Sequence, residues 1–468
     1  MRWIPGSLRR TAKLGLRRLS AVPAFRRGAL SLVRSMNRRT FRALSAHRGV
    51  ADVYVRGSFV RGPFVPLASD VDLVLLLRDE AGRSYAAVAD VHRCLRRARR
   101  TNVSIRDWWQ HMILEAERPL VGAFWPLFGA EEWRGEDGRL PIACDGRTDG
   151  RELSWALWSQ LCLWSGSVFH AYLRPAGRVH DLDAGLKKSL QLSSLLSRLA
   201  QQRGPLDPDT LAALKKDEAE RLTAGFRPCG REPAARRAAL RRVYRALESG
   251  AAALDVPGEG EGTAAAAGRT GRLSAPLSHV IRSQHATVIV FEDGLDDAAL
   301  DDAFDRLDRT LAGLRVTFVA PACAARLFPY PMDDLTIAGG GPYAAPPVRA
   351  PERYLFEALF LPSLARVSVV FPDRGDRLAR TALALLRAVL LYGDGTFATS
   401  ATEARRIVLQ RPDILRRVPG LEPWIVRSSR QAAAPDAVFD LCTRLTDLLH
   451  PLLLAYAARR PAAEAGAR

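Results

Sequence analysis

The chain has 468 residues, of which 48% are hydrophobic and 25% are charged. That balance excludes a disordered polyelectrolyte and a protein made mainly of membrane spans, and the length allows about two to four domains with sizeable cores. The formal net charge of +19 favours partners that carry phosphate, although almost all of it is arginine in an alanine-rich sequence, a bias that GC-rich coding also produces.

Cysteine spacing and hydropathy narrow the class of protein further. The six cysteines include no Cys-x-x-Cys pair, and no apolar run reaches the length of about 18 residues that a transmembrane helix needs. We therefore expect no zinc site, no disulfide framework and no transmembrane segment, and we expect a cytoplasmic location.

The N-terminal stretch is strongly basic. The first 51 residues contain thirteen arginines or lysines and no acid, the first acid being Asp52. We interpret residues 1–47 as a basic helical arm. Such an arm could bind nucleic acid, lie on an anionic membrane surface or act as an organelle transit peptide. The simpler alternative is a solvated basic helix that packs against the next domain.

The most informative motif is a strand, a Gly-Ser turn and a second strand with two aspartates. Gly57 and Ser58 follow the predicted strand 53–56, and Asp70 and Asp72 open the apolar run 73–77. Side chains alternate along a strand, so Asp70 and Asp72 should share one face while their neighbours point into the core.

Two adjacent carboxylates repel each other unless a cation lies between them, and oxygen ligands of this kind suit Mg²⁺ or Mn²⁺. We therefore predict a metal site at Asp70 and Asp72. Gly57 would let the backbone approach a phosphate closely, and Ser58 could donate from its amide and its hydroxyl. Arg56 and Arg61 could add positive charge to a bound triphosphate.

This arrangement of Gly57, Ser58, Asp70 and Asp72 resembles the polymerase β-like nucleotidyltransferase superfamily, in particular minimal nucleotidyltransferases and aminoglycoside adenylyltransferases. Residues 390–405 also resemble the helix-turn-helix in the helical domain of the latter group. The resemblance implies transfer of a nucleoside monophosphate from a nucleoside triphosphate, with ATP as the first candidate, to a hydroxyl group.

The superfamily has a third carboxylate on a later strand, and here the sequence departs from the pattern. The segment 101–108 is predicted to be that strand, but Asn102 and Ser104 take the positions that should face the metal. Asp107 is the nearest acid, although a regular strand would point it to the other face. We include Asp107 as a catalytic candidate. Because a third carboxylate is not clearly present, a catalytically inactive protein of the same fold is an alternative.

Beyond this motif, helical patterns dominate the sequence. Helices are predicted at 84–100, 111–117, 151–173 and 182–202. Strands at 286–291 and 314–319 flank an acidic helix at 296–312, and 367–371 is either a strand or the end of a helix that starts at 352. Further helices are predicted at 377–392, 402–410 and 436–458.

The predicted fold class is α+β, with a nucleotidyltransferase-type short mixed sheet and flanking helices, followed by largely helical regions and a smaller α/β segment. The chain is predicted to divide into six parts. They are a basic arm at 1–47, a catalytic domain at 48–145, a helical domain at 146–250, a low-complexity linker at 251–277, an α+β segment at 278–375 and a C-terminal helical region at 376–468.

We predict a Mg²⁺-dependent enzyme that acts on the hydroxyl of a small molecule or protein and releases pyrophosphate. Two alternatives remain. One is a nucleotidyltransferase acting on nucleic acid or making cyclic oligonucleotides, which the basic arm would favour. The other is a catalytically degenerate nucleotide-binding protein of the same fold.

Overall fold

The computed structural model of the chain describes most of the sequence in separate ranges. The described residues are 15–16, 19–61, 64–66, 69–102, 104–105, 110–135, 142, 144, 150–173, 179–201, 206–226, 232–254, 277–282, 287–291, 294–310, 316–321, 323, 336–337, 341–342, 351–398, 401–427 and 434–459.

The chain divides into two compact units. Unit 1 comprises Met1–Thr148, Pro205–Lys216 and Tyr354–Arg468, and unit 2 comprises Asp149–Gly204 and Asp217–Arg353. The described strands are β1 Val50–Arg56, β2 Asp72–Leu77, β3 His111–Leu114, β4 Leu277–Arg282, β5 Thr287–Phe291, β6 Val316–Pro321, β7 Thr336–Ile337 and β8 Gly341–Pro342.

Most of the described residues are helical. The helices are α1 Pro23–Ser45, α2 Ser58–Arg61, α3 Asp79–Gly82, α4 Tyr85–Thr101, α5 Arg118–Ala123, α6 Trp125–Phe128, α7 Gly150–Leu173, α8 Val179–Gln201, α9 Pro208–Gly225, α10 Pro233–Ala252, α11 Asp297–Thr310, α12 Glu352–Ser368, α13 Arg374–Asp394, α14 Ala401–Leu409, α15 Pro412–Arg417, α16 Leu421–Arg427 and α17 Pro435–Arg459.

Unit 1 contains a three-stranded mixed sheet in the order β1-β2-β3. Strand β2 pairs antiparallel with β1 and parallel with β3, and Leu73 to Leu77 of β2 are all fully buried. A strand buried on both faces reads as a continuous apolar run, which is why β2 could be recognised in the sequence. Helices α1 and α4 pack against each other, and α1 also packs against β1. The predicted α+β class is confirmed.

A buried ion pair joins helix α12 to the segment that follows β3. Arg366 donates from Nη1 to Glu117 Oε2 at 2.9 Å and from Nη2 to Glu117 Oε1 at 2.5 Å. His450 of α17 has Nε2 3.3 Å from Glu117 Oε1. Burial by itself would raise the pKa of Glu117, but the charge of Arg366 and the hydrogen bonds from His450 and Arg366 hold it well below its usual range. The C-terminal helices are therefore part of the unit that contains the first sheet.

Unit 2 combines helices α7, α8 and α10 with a five-stranded sheet in the order β6-β5-β4-β7-β8. Strands β5 and β6 are parallel and α11 connects them, which confirms the predicted strand–acidic helix–strand unit. Its core is aromatic, and its largest fully buried side chains include Trp158, Phe169, Tyr244, Phe291 and Phe304.

Two sequence predictions of secondary structure are wrong. Thr101 ends helix α4, and residues 102, 104 and 105 are irregular, so no strand is seen in the described part of 101–108. The third strand of the sheet is instead His111–Leu114, in a segment predicted to be helical. Residues 367–371 were predicted to be either a strand or the end of a helix. In the structure, residues 367–368 are the last residues of helix α12, so the helix is the correct alternative.

Some predictions fall outside what the structure describes. Residues 255–276, the greater part of the predicted low-complexity linker, are not among the described residues. None of the described helices combines the length and the apolar composition needed to cross a bilayer.

Candidate active site

The turn after β1 brings Gly57 against Asp72. Gly57 has φ +76°, in the left-handed region that glycine adopts without strain. A Cβ added at Gly57 would lie 2.9 Å from Asp72 Oδ2, closer than an ordinary van der Waals contact. The glycine is therefore required twice, for its backbone conformation and for the close approach of a carboxylate.

Ser58 opens the short helix α2 directly after this turn. The amide of Val60 donates to the Gly57 carbonyl at 3.0 Å, which closes the turn, and the Ser58 side chain is half-buried. Arg61 is the last residue of α2, and its side chain lies outside the described part of the structure.

Asp70 and Asp72 flank the buried residue Val71. Both aspartates are half-buried, whereas Val71 is 1% exposed and Leu73 is fully buried, an alternation typical of extended chain with one face toward the core. The Oδ1 atom of Asp70 is shielded from solvent. The amide of Val71 donates to the carbonyl of Ser104 at 2.9 Å, so the backbone between the two acids is fixed from outside the sheet.

Ser104 is in turn held by a buried polar cluster with helix α1. Asn102 Nδ2 donates to Asn37 Oδ1 at 2.9 Å and to Thr40 Oγ1 at 3.0 Å, and Ser104 Oγ donates to Asn102 Oδ1 at 2.5 Å. All four side chains are at most 3% exposed. The prediction that Asn102 and Ser104 face a metal is therefore wrong, because both side chains satisfy their hydrogen bonds inside the protein.

Strand β1 is held on its other edge by the segment after α6. Val55 and Arg134 exchange backbone hydrogen bonds of 3.0 and 2.9 Å, and the ring of Tyr54 stacks on Trp133 with centroids 6.1 Å apart. These contacts fix the end of β1 that leads into Gly57. On its inner edge, Arg56 lies directly opposite Asp72 in the antiparallel register.

Strand β3 contributes a histidine to the face that carries Asp72. His111 is in register with Val74, which lies two residues beyond Asp72 and so points the same way. The His111 ring meets Phe360 of α12 edge-on, with centroids 5.0 Å apart. Removal of the ring from water, and secondly the charge of Arg56, hold the pKa of His111 well below its usual range.

His111 is a residue at this end of the sheet that the sequence reasoning did not single out. The polar pair 110–111 before the apolar run 112–114 was the available signal, but the segment 111–117 was predicted to be helical. The predicted catalytic residue Asp107 lies outside the described residues. Within the part that the structure describes, no three acidic, histidine or cysteine side chains are grouped closely enough to hold a metal ion.

The donor set at this turn nevertheless fits a magnesium ion. Mg²⁺ is commonly held by one or two carboxylates, with its other positions filled by water and substrate phosphates. Asp70 and Asp72 supply hard oxygen donors, and the missing Cβ of Gly57 leaves the Asp72 carboxylate directly beside the backbone of the turn. Gly57 and Asp72 therefore lie side by side at this end of the sheet, and Ser58 and Asp70 are close to them in the sequence.

Residues 38–118 match the sequence model of the nucleotidyltransferase domain family. The matched stretch runs from the second half of α1 through all three strands of the first sheet, and it includes Gly57, Asp70 and Asp72. Comparisons with curated proteins and with solved structures give no match. Residues 38–118 of the chain therefore match a nucleotidyltransferase domain, which is consistent with the polymerase β-like superfamily that the motif resembles.

Proposed function

We propose that this protein transfers a nucleoside monophosphate from a nucleoside triphosphate to a hydroxyl group of a small molecule or protein and releases pyrophosphate. ATP is the proposed donor and Mg²⁺ the proposed metal, with Mn²⁺ as a substitute. The observation that carries the proposal is the contact between the Gly57 turn and the Asp72 carboxylate within a nucleotidyltransferase domain.

Each residue at the turn has a proposed role. Asp70 and Asp72 would hold the metal, which when bound neutralises charge on the triphosphate. The backbone at Gly57 and Ser58 would lie against the phosphates, and the Ser58 hydroxyl would donate to a phosphate oxygen. Arg56 and Arg61 would add positive charge. In the reaction the acceptor oxygen bonds to the α-phosphorus, the bond from that phosphorus to pyrophosphate breaks, and the acceptor proton leaves to a base.

Pyrophosphate release tests this proposal. The full-length protein is incubated with each of the four ribonucleoside triphosphates, Mg²⁺ or Mn²⁺, and a panel of hydroxyl-bearing acceptors. Release by the wild type should be abolished in the Asp70→Asn/Asp72→Asn variant. The matched control is Asp376→Asn, which removes one carboxylate from an exposed position in α13 and should leave the rate unchanged. Equal rates in the wild type and the double variant would refute the assignment.

A second candidate function is nucleotide binding without transfer. It is favoured by His111, because β3 presents an imidazole, rather than a carboxylate, on the face shared with Asp72. Under this alternative ATP binds the wild type, and no triphosphate or acceptor in the panel gives pyrophosphate. A binding measurement beside the pyrophosphate assay separates the two functions.

A further inference from the structure

Helix α1 carries a row of exposed arginines along one face. Arg27, Arg34 and Arg38 are spaced by seven and four residues, which places them within an arc of about 40° around the helix and about 10 Å and 6 Å apart along its axis. Together with Leu30, Ser31 and Ser35 they line a shallow groove of about 570 Å³. We call these three residues the arginine row.

The arginine row is not neutralised by described parts of the protein. No acidic residue precedes Asp52 in the sequence, and none of the three guanidinium groups forms an ion pair with a described residue. A row of three on one face therefore creates a local positive field that favours an anionic partner.

The opposite face of α1 holds the row in place. Ala29, Val33, Phe41 and Leu44 are buried against the domain, and Asn37 and Thr40 hydrogen-bond to Asn102. The helix is thus fixed to the loop whose Ser104 carbonyl accepts from Val71, between the two aspartates. Binding to the row requires ordering of the arginine side chains but not of the helix, which lowers its entropic cost.

The geometry favours one class of anion. The row extends about 16 Å along the helix, longer than a single triphosphate, so its length fits a polyanion. A helix that binds a membrane surface inserts a broad apolar face beside its basic face, but the apolar side chains Ala29, Val33, Phe41 and Leu44 of α1 are buried in the domain, and the exposed Leu32 alone does not form such a face. Small exposed serines separate the arginines, and their hydroxyls can donate to phosphate oxygens.

We propose that the arginine row binds the phosphate backbone of a nucleic acid without reading its bases. Nothing in the row offers the flat aromatic surfaces on which single-stranded bases stack, since its groove is lined by arginine, serine and leucine. The proposal does not depend on transferase activity, because the row lies outside the turn formed by Gly57 and Asp72.

The test uses the full-length protein and fluorescence anisotropy. The probes are a fluorescein-labelled single-stranded RNA and a DNA duplex, each about 20 units long, titrated from about 50 to 200 mM KCl. The test variant is Arg27→Gln/Arg34→Gln/Arg38→Gln. The control variant, Arg406→Gln/Arg416→Gln/Arg417→Gln, removes the same total charge from exposed positions on α14 and α15. Thermal melts and Asp72→Asn serve as checks on folding and on the catalytic turn.

The expected result is specific to the row. For single-stranded RNA, three phosphate contacts contribute a slope of about −2 to log affinity plotted against log salt concentration. Over the roughly fourfold range of salt this slope corresponds to a factor of about 20. At about 50 mM KCl the wild type should therefore bind about 20-fold or more tightly than the test variant. The control variant and Asp72→Asn should bind as the wild type does. Equal losses in both triple variants would contradict the proposal, since they would assign binding to net charge alone. Row-dependent binding to vesicles containing phosphatidylserine, with nucleic-acid binding unchanged, would also overturn it.

Discussion

Replacing Gly57 by alanine tests the geometry of the site from two directions at once. At φ +76° an alanine is strained by about 1–2 kcal/mol, since a side chain at a left-handed position meets the following carbonyl. The new Cβ would also lie 2.9 Å from Asp72 Oδ2, so the carboxylate must retreat by about 0.5 Å to reach an ordinary contact. We expect the melting temperature to fall by about 2–8 °C.

The chain supplies a matched control for the strain. Gly395, which ends helix α13, has the same φ of +76°, but a Cβ added there meets nothing within 4 Å. Gly395→Ala should therefore lose a similar amount of stability through the backbone alone. The difference between the two variants isolates the contact with Asp72.

Isothermal titration with Mg²⁺ and a non-hydrolysable ATP analogue reads out that difference. Misplacing a binding group by a fraction of an ångström should weaken binding by about 10-fold in Gly57→Ala, and Gly395→Ala should bind as the wild type does. The reasoning is refuted if both variants melt lower by the same amount and both bind the analogue with wild-type affinity, because the carboxylate position would then be irrelevant to the nucleotide.

Three further outcomes follow from the buried polar groups of unit 1. Arg366→Met should lower the free energy of unfolding in urea by about 3–5 kcal/mol, since it leaves the buried Glu117 carboxylate without its arginine partner. Because the pKa of Glu117 is depressed in the folded protein, the ionised Glu117 contributes fully to folding stability above the ordinary glutamate pKa, and this contribution is lost as the pH falls below it. The loss of stability in acid should therefore be weaker in the Arg366→Met variant. Burial lowers the pKa of His92 to about 4, despite a hydrogen bond to the Arg366 carbonyl. The free energy of unfolding of the wild type should therefore fall as the pH drops from about 6.5 toward 4. His92→Gln should make the free energy of unfolding depend less on pH over this range. Asn102→Ala should cost about 1–3 kcal/mol in the same denaturation assay and weaken nucleotide binding, because the loop that fixes Val71 is released.

The first two strands could be predicted because their signals are local. The apolar run of β2, the glycine and serine that end β1 and the aspartates at alternate positions all lie within about 25 residues. The parallel strand–helix–strand unit at β5, α11 and β6 was equally local, since each element carries its own periodicity and the connection is short. Pairing with β4, β7 and β8 had no such signal.

The third strand was missed because its sequence is ambiguous over four residues. His111–Leu114 is too short to show a period, and Glu115 and Glu117 complete a pattern that also suits a helix. Residues 102–105 alternate polar and apolar as a strand would, but the polar side chains point into a cluster with Asn37 and Thr40, some 65 residues earlier. Hydrogen bonds over such separations leave no mark on local spacing.

The sequence also carried no signal that the C-terminal helices belong to unit 1. One of the contacts behind this membership is the Glu117–Arg366 pair, whose partners are 249 residues apart. Periodicity located helices α13, α14 and α17 well, but it gives no information on which surface each apolar face covers. A buried arginine and a buried glutamate look like ordinary surface residues until the fold brings them together.

The dependence of ATP binding on Mg²⁺ tests the central claim most directly. Titration of ATP into the wild type and into Asp376→Asn should show binding with Mg²⁺ that weakens at least 10-fold when the metal is chelated. In Asp70→Asn/Asp72→Asn the affinities with and without Mg²⁺ should converge, because the groups that join metal and protein are gone. A double variant that keeps the full Mg²⁺ dependence of the wild type would contradict the account.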